Sequence, residues 1–136
     1  MRFMAWHVEY FKANPTEHGR SSLIEEAKPI ECGESLLLFI SFEKKDIENK
    51  VDTIDKAVNE IQSIASQLKV NTLVLNPFAH LFADLARPED AIAMLDELEK
   101  RLIDRRFNVC RLAFGMFYEI ELKAKGHKLA RISRSI

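Results

Sequence analysis

The chain has 136 residues, enough for one domain, and 47% of them are hydrophobic against 30% charged, so it can bury a core and still dissolve. Its net charge of −1 excludes binding nucleic acid through overall charge, and any such contact needs a local basic patch. The longest apolar run, "LLLFI" at 36–40, is too short to span a bilayer, and an N-terminus broken by His7, Glu9 and Lys12 lacks the apolar centre of a signal peptide; a cytoplasmic protein without membrane contact is expected.

"MRFMAWHVEYF" reads as an opening strand, rich in Phe3, Trp6, Val8, Tyr10 and Phe11. "KANPTEHGRSS" reads as a polar loop around Pro15 and Gly19. "ESLLLFISFEK" is a strand whose unbroken apolar centre predicts burial on both faces. In "VDTIDKAVNEIQSIASQLKV" the residues Val51, Ile54, Ala57, Val58, Ile61, Ala65 and Leu68 recur at steps of three and four. That spacing predicts a helix with one apolar stripe.

"VNTLVL" is a short buried strand. "PEDAIAMLDELEKRLIDRRF" is a second long helix, with Pro88 suited to its first position and Ala91, Met94, Leu95, Leu98 and Leu102 as its stripe. Its ends carry the charges a helix dipole favours, Glu89 and Asp90 at the start, Arg105 and Arg106 at the finish. "NVCRLAF" and the alternating "MFYEIELKA" read as strands, Lys125-Gly126-His127 as a turn, and "KLARIS" as a last strand. The order β-β-α-β-α-β-β-β predicts an α/β domain over residues 1–136, with two long helices packed on a mixed sheet.

Three stretches could carry chemistry. His80 follows the end of the "TLVL" strand at Asn76-Pro77, where α/β folds tend to place ligands, although position alone favours a histidine bonded locally at a helix start. Phe114-Gly115 interrupts two strands and allows either close backbone approach to a ligand or a plain hairpin turn. Lys123, Lys125, Lys128, Arg131 and Arg134 form an acid-free basic run, either a stripe along a phosphate backbone or the protection of an edge strand. Cys32 and Cys110 lack metal-ligand spacing and are expected as free thiols; no phosphate-binding glycine loop, G-x-S-x-G or H-E-x-x-H occurs, so no cofactor or metal is expected.

"NPFAHLFADLARP" resembles the "YPFAHLSSELAKP" type of segment in the N-terminal editing domain of archaeal threonyl-tRNA synthetase. "FNVCRLAFG", "KGH" and "LARISRSI" resemble that family's "FNV…APFG", "KGH" and "LAELSR", and "WHVEYF" its "IHSDY", so the likeness runs from Met1 to Ile136. It implies a fold like that of D-aminoacyl-tRNA deacylases, a homodimer, attachment to the rest of the synthetase, and hydrolysis of seryl-tRNA(Thr) at the tRNA acceptor end. It also implies a site built largely of main chain, in which the terminal 2′-hydroxyl of the tRNA assists attack by water. Carried over by position, Phe42, Pro77, Ala79, His80, Phe114, Gly115 and Phe117 would form the pocket. The family's lysine in "FGYYK" is Tyr118 here, and its acid in "LAELSR" is Arg131. Both family side chains lie near the reacting ester, which makes Tyr118, with His80, a candidate for the chemistry, and Arg131 a candidate substrate contact. Lys123, Lys125, Lys128 and Arg134 would meet the tRNA. A noncatalytic tRNA-binding appendage and a stand-alone D-aminoacyl-tRNA deacylase are the alternatives.

Overall fold

The computed structural model describes all 136 residues. Its elements are β1 (Arg2–His18), β2 (Ile30–Cys32), β3 (Ser35–Ser41), α1 (Lys44–Glu48), α2 (Lys50–Leu68), β4 (Thr72–Pro77), a 3-10 turn (Ala79–Leu81), α3 (Pro88–Asp104), β5 (Asn108–Arg111), β6 (Met116–Ala124) and β7 (Arg131–Ser135). The sheet is mixed: β3, β4 and β5 run parallel, and every partner of β1 is antiparallel to it.

β1 organises the rest. Its first half pairs with β3 on one side and β7 on the other, Trp6 lying opposite both Leu37 and Arg131. Its second half pairs with β2 and β6. The register with β6 slips between Val8 and Phe11 and again between Pro15 and Glu17, and such bulges bend a strand. The stretch expected as a polar loop from Lys12 is therefore strand as far as His18. Pro15 is tolerated because β2 has already left β1 at Ala13 and the bulge next to Pro15 relaxes the ladder.

The sheet has two unlike faces. Phe3, Ala5, Leu36, Leu38, Ile40, Leu73 and Leu75 pack under α2 and α3 with Ile54, Ile61, Met94, Leu95, Leu98 and Leu102. The alternate residues Val8, Phe11, Ala13, Leu37, Phe39, Val74 and Leu112 form a second cluster without helix residues. β3 is buried at all of its positions, because both clusters draw on it. The helical stripes hold with one exception: Val51, the second residue of α2, is 66% exposed, while Ile64, further along the helix, is buried as well. α1 and the short β2 carry too few residues for a periodic signal.

Leu38→Ala, which empties the middle of the helix-side core, should lower stability by about 2–5 kcal/mol. Val51→Ala should change it by no more than about 0.5 kcal/mol. Urea midpoints of the two variants check both, and equal losses would mean the face assignment of α2 is wrong.

Candidate functional site

The parallel strands β3 and β4 end side by side, and the chain beyond β4 turns across that edge. The Phe78 N–H donates to the Ile40 carbonyl at 2.8 Å, which fixes the start of the turn. Arg2 closes it from the other side: its guanidinium donates to the Leu81 carbonyl at 2.9 Å and lies 4.6 Å over the Phe82 ring. The turn itself needs no glycine, since Phe78 and Phe82 are both extended.

This turn completes an aromatic row on the face without helices. Trp6 meets Phe39 edge-on at 5.5 Å, Phe39 meets Phe78 at 5.6 Å, and Phe78 meets His80 at 5.4 Å. Arg131 is the cross-strand partner of Trp6, and directly paired residues project to one face. The structure thus sets His80 at one end of an aromatic row and Arg131 at the other, with Trp6 and Phe78 half-buried and Phe39 buried between them. The His80 and Arg131 side chains are both exposed, and neither has an acidic partner. Pro77 is half-buried at the end of β4, and Ala79 is exposed within the turn.

The Phe114–Gly115 turn stands one strand over, beyond β5, whose end is tied to β4 by the Leu112 N–H on the Leu75 carbonyl at 2.9 Å. Gly115 has φ +79°, and a Cβ there would come within 2.7 Å of the Leu23 carbonyl oxygen, so glycine is required on both counts. Phe114 packs against the helix-side core. Tyr118 packs against the other cluster, where its hydroxyl accepts the Ala113 N–H at 2.8 Å. The phenol is thereby tied to the turn. Phe117, its neighbour in the strand, is 56% exposed and projects from the opposite face.

Two expected contacts are placed elsewhere. Phe42 is 4% exposed and belongs to the core beneath the helices, so it supports the strand ends from below and is absent from the aromatic face. Arg134 is opposite Phe3, which turns it toward the helices, where it binds Glu60 of α2 at 2.6 Å. The basic run is accordingly no continuous stripe, because period-two alternation sends Arg131 and Arg134 to opposite faces. Lys123 pairs with Glu9 at 3.3 Å and Lys125 with Glu34 at 3.0 Å. Lys128 and Arg131 have no acid within ion-pair distance.

The structure also joins residues to which the sequence reading gave no role. The His127 Nδ1 accepts the Leu129 N–H at 3.2 Å, His127 Nε2 stands 2.8 Å from His7 Nδ1, and His7 Nε2 stands 2.8 Å from Glu34 Oε1. One proton arrangement satisfies every contact: both rings neutral and protonated on Nε2, each donating toward Glu34. Lys125 first, and then His7, holds the Glu34 carboxyl below the usual carboxylate range. The only sequence sign was a histidine inside an apolar strand, between Trp6 and Val8. Cys32 and Cys110, far apart in sequence, pack against the same cluster as free thiols. Burial, and then the neighbouring Cys110, pushes the Cys32 thiol up to about 11, which keeps it protonated and a poor nucleophile at neutral pH.

A second missed group centres on Arg111. Its side chain, 9% exposed, donates to Glu25 at 2.6 Å, Asp96 at 2.6 Å and Glu99 at 3.0 Å. Burial alone would lower its pKa, but the hydrogen bond to Asp96 and the charge of Glu25 overcome that and hold the guanidinium above its ordinary value. A cavity of about 230 Å³ opens beside it, lined by Glu25, Lys28, Glu99, Ala113 and Tyr118 among others.

The archaea-specific editing domain of threonyl-tRNA synthetase matches residues 1–136. The threonine–tRNA ligase of Thermococcus onnurineus is 39% identical over 139 residues, and that of Methanocaldococcus jannaschii 36% identical over 138; each alignment covers 100% of this chain and 22% of the relative. The chain thus spans about a fifth of the length of these relatives. Among solved structures, the c-Myc DNA unwinding element binding protein superposes with a TM-score of 0.66 at 11% identity, covering 100% of this chain and 99% of that one, a likeness of fold alone. The α/β fold with a mixed sheet is the one expected, and no helix is long and apolar enough to cross a membrane. The match along all 136 residues identifies the chain as a member of the archaea-specific editing-domain family of threonyl-tRNA synthetase, and so as an aminoacyl-tRNA deacylase domain.

Proposed function

We propose that the domain hydrolyses the ester of seryl-tRNA(Thr), in a pocket between the Pro77–His80 turn and the Phe114–Gly115 turn. The observation that carries this reading is the aromatic row ending in His80, with Arg131 facing it across the same surface. The accessible rings of Trp6, Phe78 and His80 offer a terminal adenine a place to stack, because every base has a π-face. Arg131 then meets the phosphate or ribose next to it. The need for the reaction is physical. A synthetic site for threonine cannot strongly reject serine, since the missing methyl is worth only about 1–3 kcal/mol.

The residues in place favour substrate assistance over a side-chain base. The Tyr118 hydroxyl is engaged with the Ala113 N–H. Tyrosine also lacks the charge of the lysine that relatives of the "FGYYK" type carry at this place. Neither cysteine lies in the two turns, and Cys32 is held protonated. The terminal 2′-hydroxyl of the tRNA and a bound water then carry the proton transfer, while His80 hydrogen-bonds the substrate or its water. Seryl-tRNA ending in 2′-deoxyadenosine, with serine on the 3′-oxygen, should react about a hundredfold more slowly than the normal substrate. His80→Ala should lose only about fivefold, the worth of one hydrogen bond. Equal rates on the two substrates would move the proton transfer to a protein side chain, with His80 and Tyr118 the first to test.

The tRNA contact follows from which cations are free. Lys128 and Arg131 are available, whereas Lys123, Lys125 and Arg134 already hold carboxylates. Lys128→Ala should weaken binding of the tRNA acceptor end and lower the slope of log affinity against log salt by about 0.7. Lys123→Ala should change the slope less, and the opposite order would mean the internal pairs open on binding.

We also propose a homodimer, within a chain that continues into the remainder of a synthetase as in its relatives. β6 and β7 are each bonded only to β1, and Phe117 and Ile120 on β6 are 56% and 41% exposed. An unpaired strand edge beside an exposed aromatic side chain is a surface that a second copy can cover. Sedimentation at micromolar concentration should give about twice the 15.7 kDa chain mass. A single species of chain mass contradicts the dimer.

A further inference from the structure

We propose that Glu25 is a positioning residue for deacylation, holding the Phe114–Gly115 turn in its working shape. This rests on reading that turn as a wall of the substrate pocket. The segment from Gly19 to Glu25 lies along the turn and satisfies its backbone groups one after another. The Gly19 N–H donates to the Gly115 carbonyl at 2.7 Å, and the Glu25 N–H to the Phe114 carbonyl at 3.1 Å. The Glu25 carboxylate then closes the set: Oε2 accepts the Phe114 N–H at 2.7 Å and Oε1 accepts Arg111 Nη2 at 2.6 Å.

Arg111 carries the restraint onward. Its other terminal nitrogen donates to Asp96 at 2.6 Å and Glu99 at 3.0 Å, both on α3. One carboxylate therefore clamps a turn amide to a guanidinium fixed by a long helix, across 89 positions of sequence. A charge-assisted bond to a backbone amide is about twice as strong as a neutral one. Gly115 adds a reason why such a clamp is needed. A residue at φ +79° without a Cβ is free to leave that conformation, so the turn's shape must be imposed from outside. Glu25 touches no part of the aromatic row. It acts through Phe114, at a site where misplacing a reacting group by about 1 Å costs about a hundredfold in rate.

Position alone distinguishes this role from general stability. Removing Glu25 leaves Arg111 with Asp96 and Glu99, so no buried charge is orphaned and the domain should still fold. Glu25→Gln keeps an acceptor for the Phe114 amide but sets its NH2 against Arg111. Glu25→Ala loses both bonds. The test joins single-turnover hydrolysis of seryl-tRNA with amide hydrogen exchange of the same proteins. The rate should fall about tenfold in Glu25→Ala and about threefold in Glu25→Gln, with KM for the tRNA unchanged, because Lys128 and Arg131 are untouched. In step with it, exchange at Phe114 should speed up most in the alanine variant, while the Leu38 and Leu75 amides of the central strands stay as protected as in the parent protein. Unchanged exchange at Phe114, or an unchanged rate despite faster exchange, overturns the proposal. So does a rate loss that tracks exchange throughout the core. If the parent protein itself leaves seryl-tRNA intact, the functional reading fails, and the exchange measurement still decides whether Glu25 holds the turn.

Discussion

The structure depends on one bent strand. β1 is 17 residues long and hydrogen-bonds to four others, two along each half. A straight strand of that length would leave its second half as a bare ribbon beside the helix-covered sheet. The bulge between Val8 and Phe11 redirects it, so that Phe11 and Ala13 reach the same cluster as Leu37, Phe39 and Val74. The face without helices is thereby divided. Part of it is buried with Phe39 in the second cluster, and part stays accessible at Trp6, Phe78 and His80. The core under α2 and α3 makes the domain stable, and the bend in β1 shapes the surface that remains for a ligand.

Much of this was legible in the sequence, and the failures have physical causes. α2 and α3 announced themselves because a stripe of apolar residues at helical spacing must be buried. Val51 fell on the stripe yet stands in solvent at the start of α2, where burial begins only with Thr53 and Ile54. β3 read as doubly buried and is. The end of β1 read as loop because Pro15, Glu17 and His18 carry no strand propensity. Pairing with β6, a contact about 100 residues away, makes that stretch a strand.

The candidate site shows the same division. His80 and the Phe114–Gly115 turn could be located from local signals, a strand end and a glycine between strands. What joins them could not. Arg131 faces the aromatic row only because of its register against Trp6, and Arg134 departs from the basic run for the same reason. The clamp of Glu25, Arg111, Asp96 and Glu99 draws on three separate stretches of chain, and its one local trace is an arginine within the apolar strand "NVCRLAF". The chain of His7, His127 and Glu34 is equally non-local.

The proposed pocket, made of two backbone turns, suits an editing reaction. Serine and threonine differ by a methyl group, so discrimination must come from shape, and turns held by clamped amides keep their shape better than long side chains. In the proposed mechanism the chemistry is left to a hydroxyl that every correct tRNA brings with it. The most direct measurement of this account is side-by-side hydrolysis of seryl-tRNA(Thr) and threonyl-tRNA(Thr) by the isolated domain under identical salt. Rapid loss of the seryl ester with the threonyl ester largely spared is the result it predicts. Equal loss of the two, or faster loss of threonine, contradicts it.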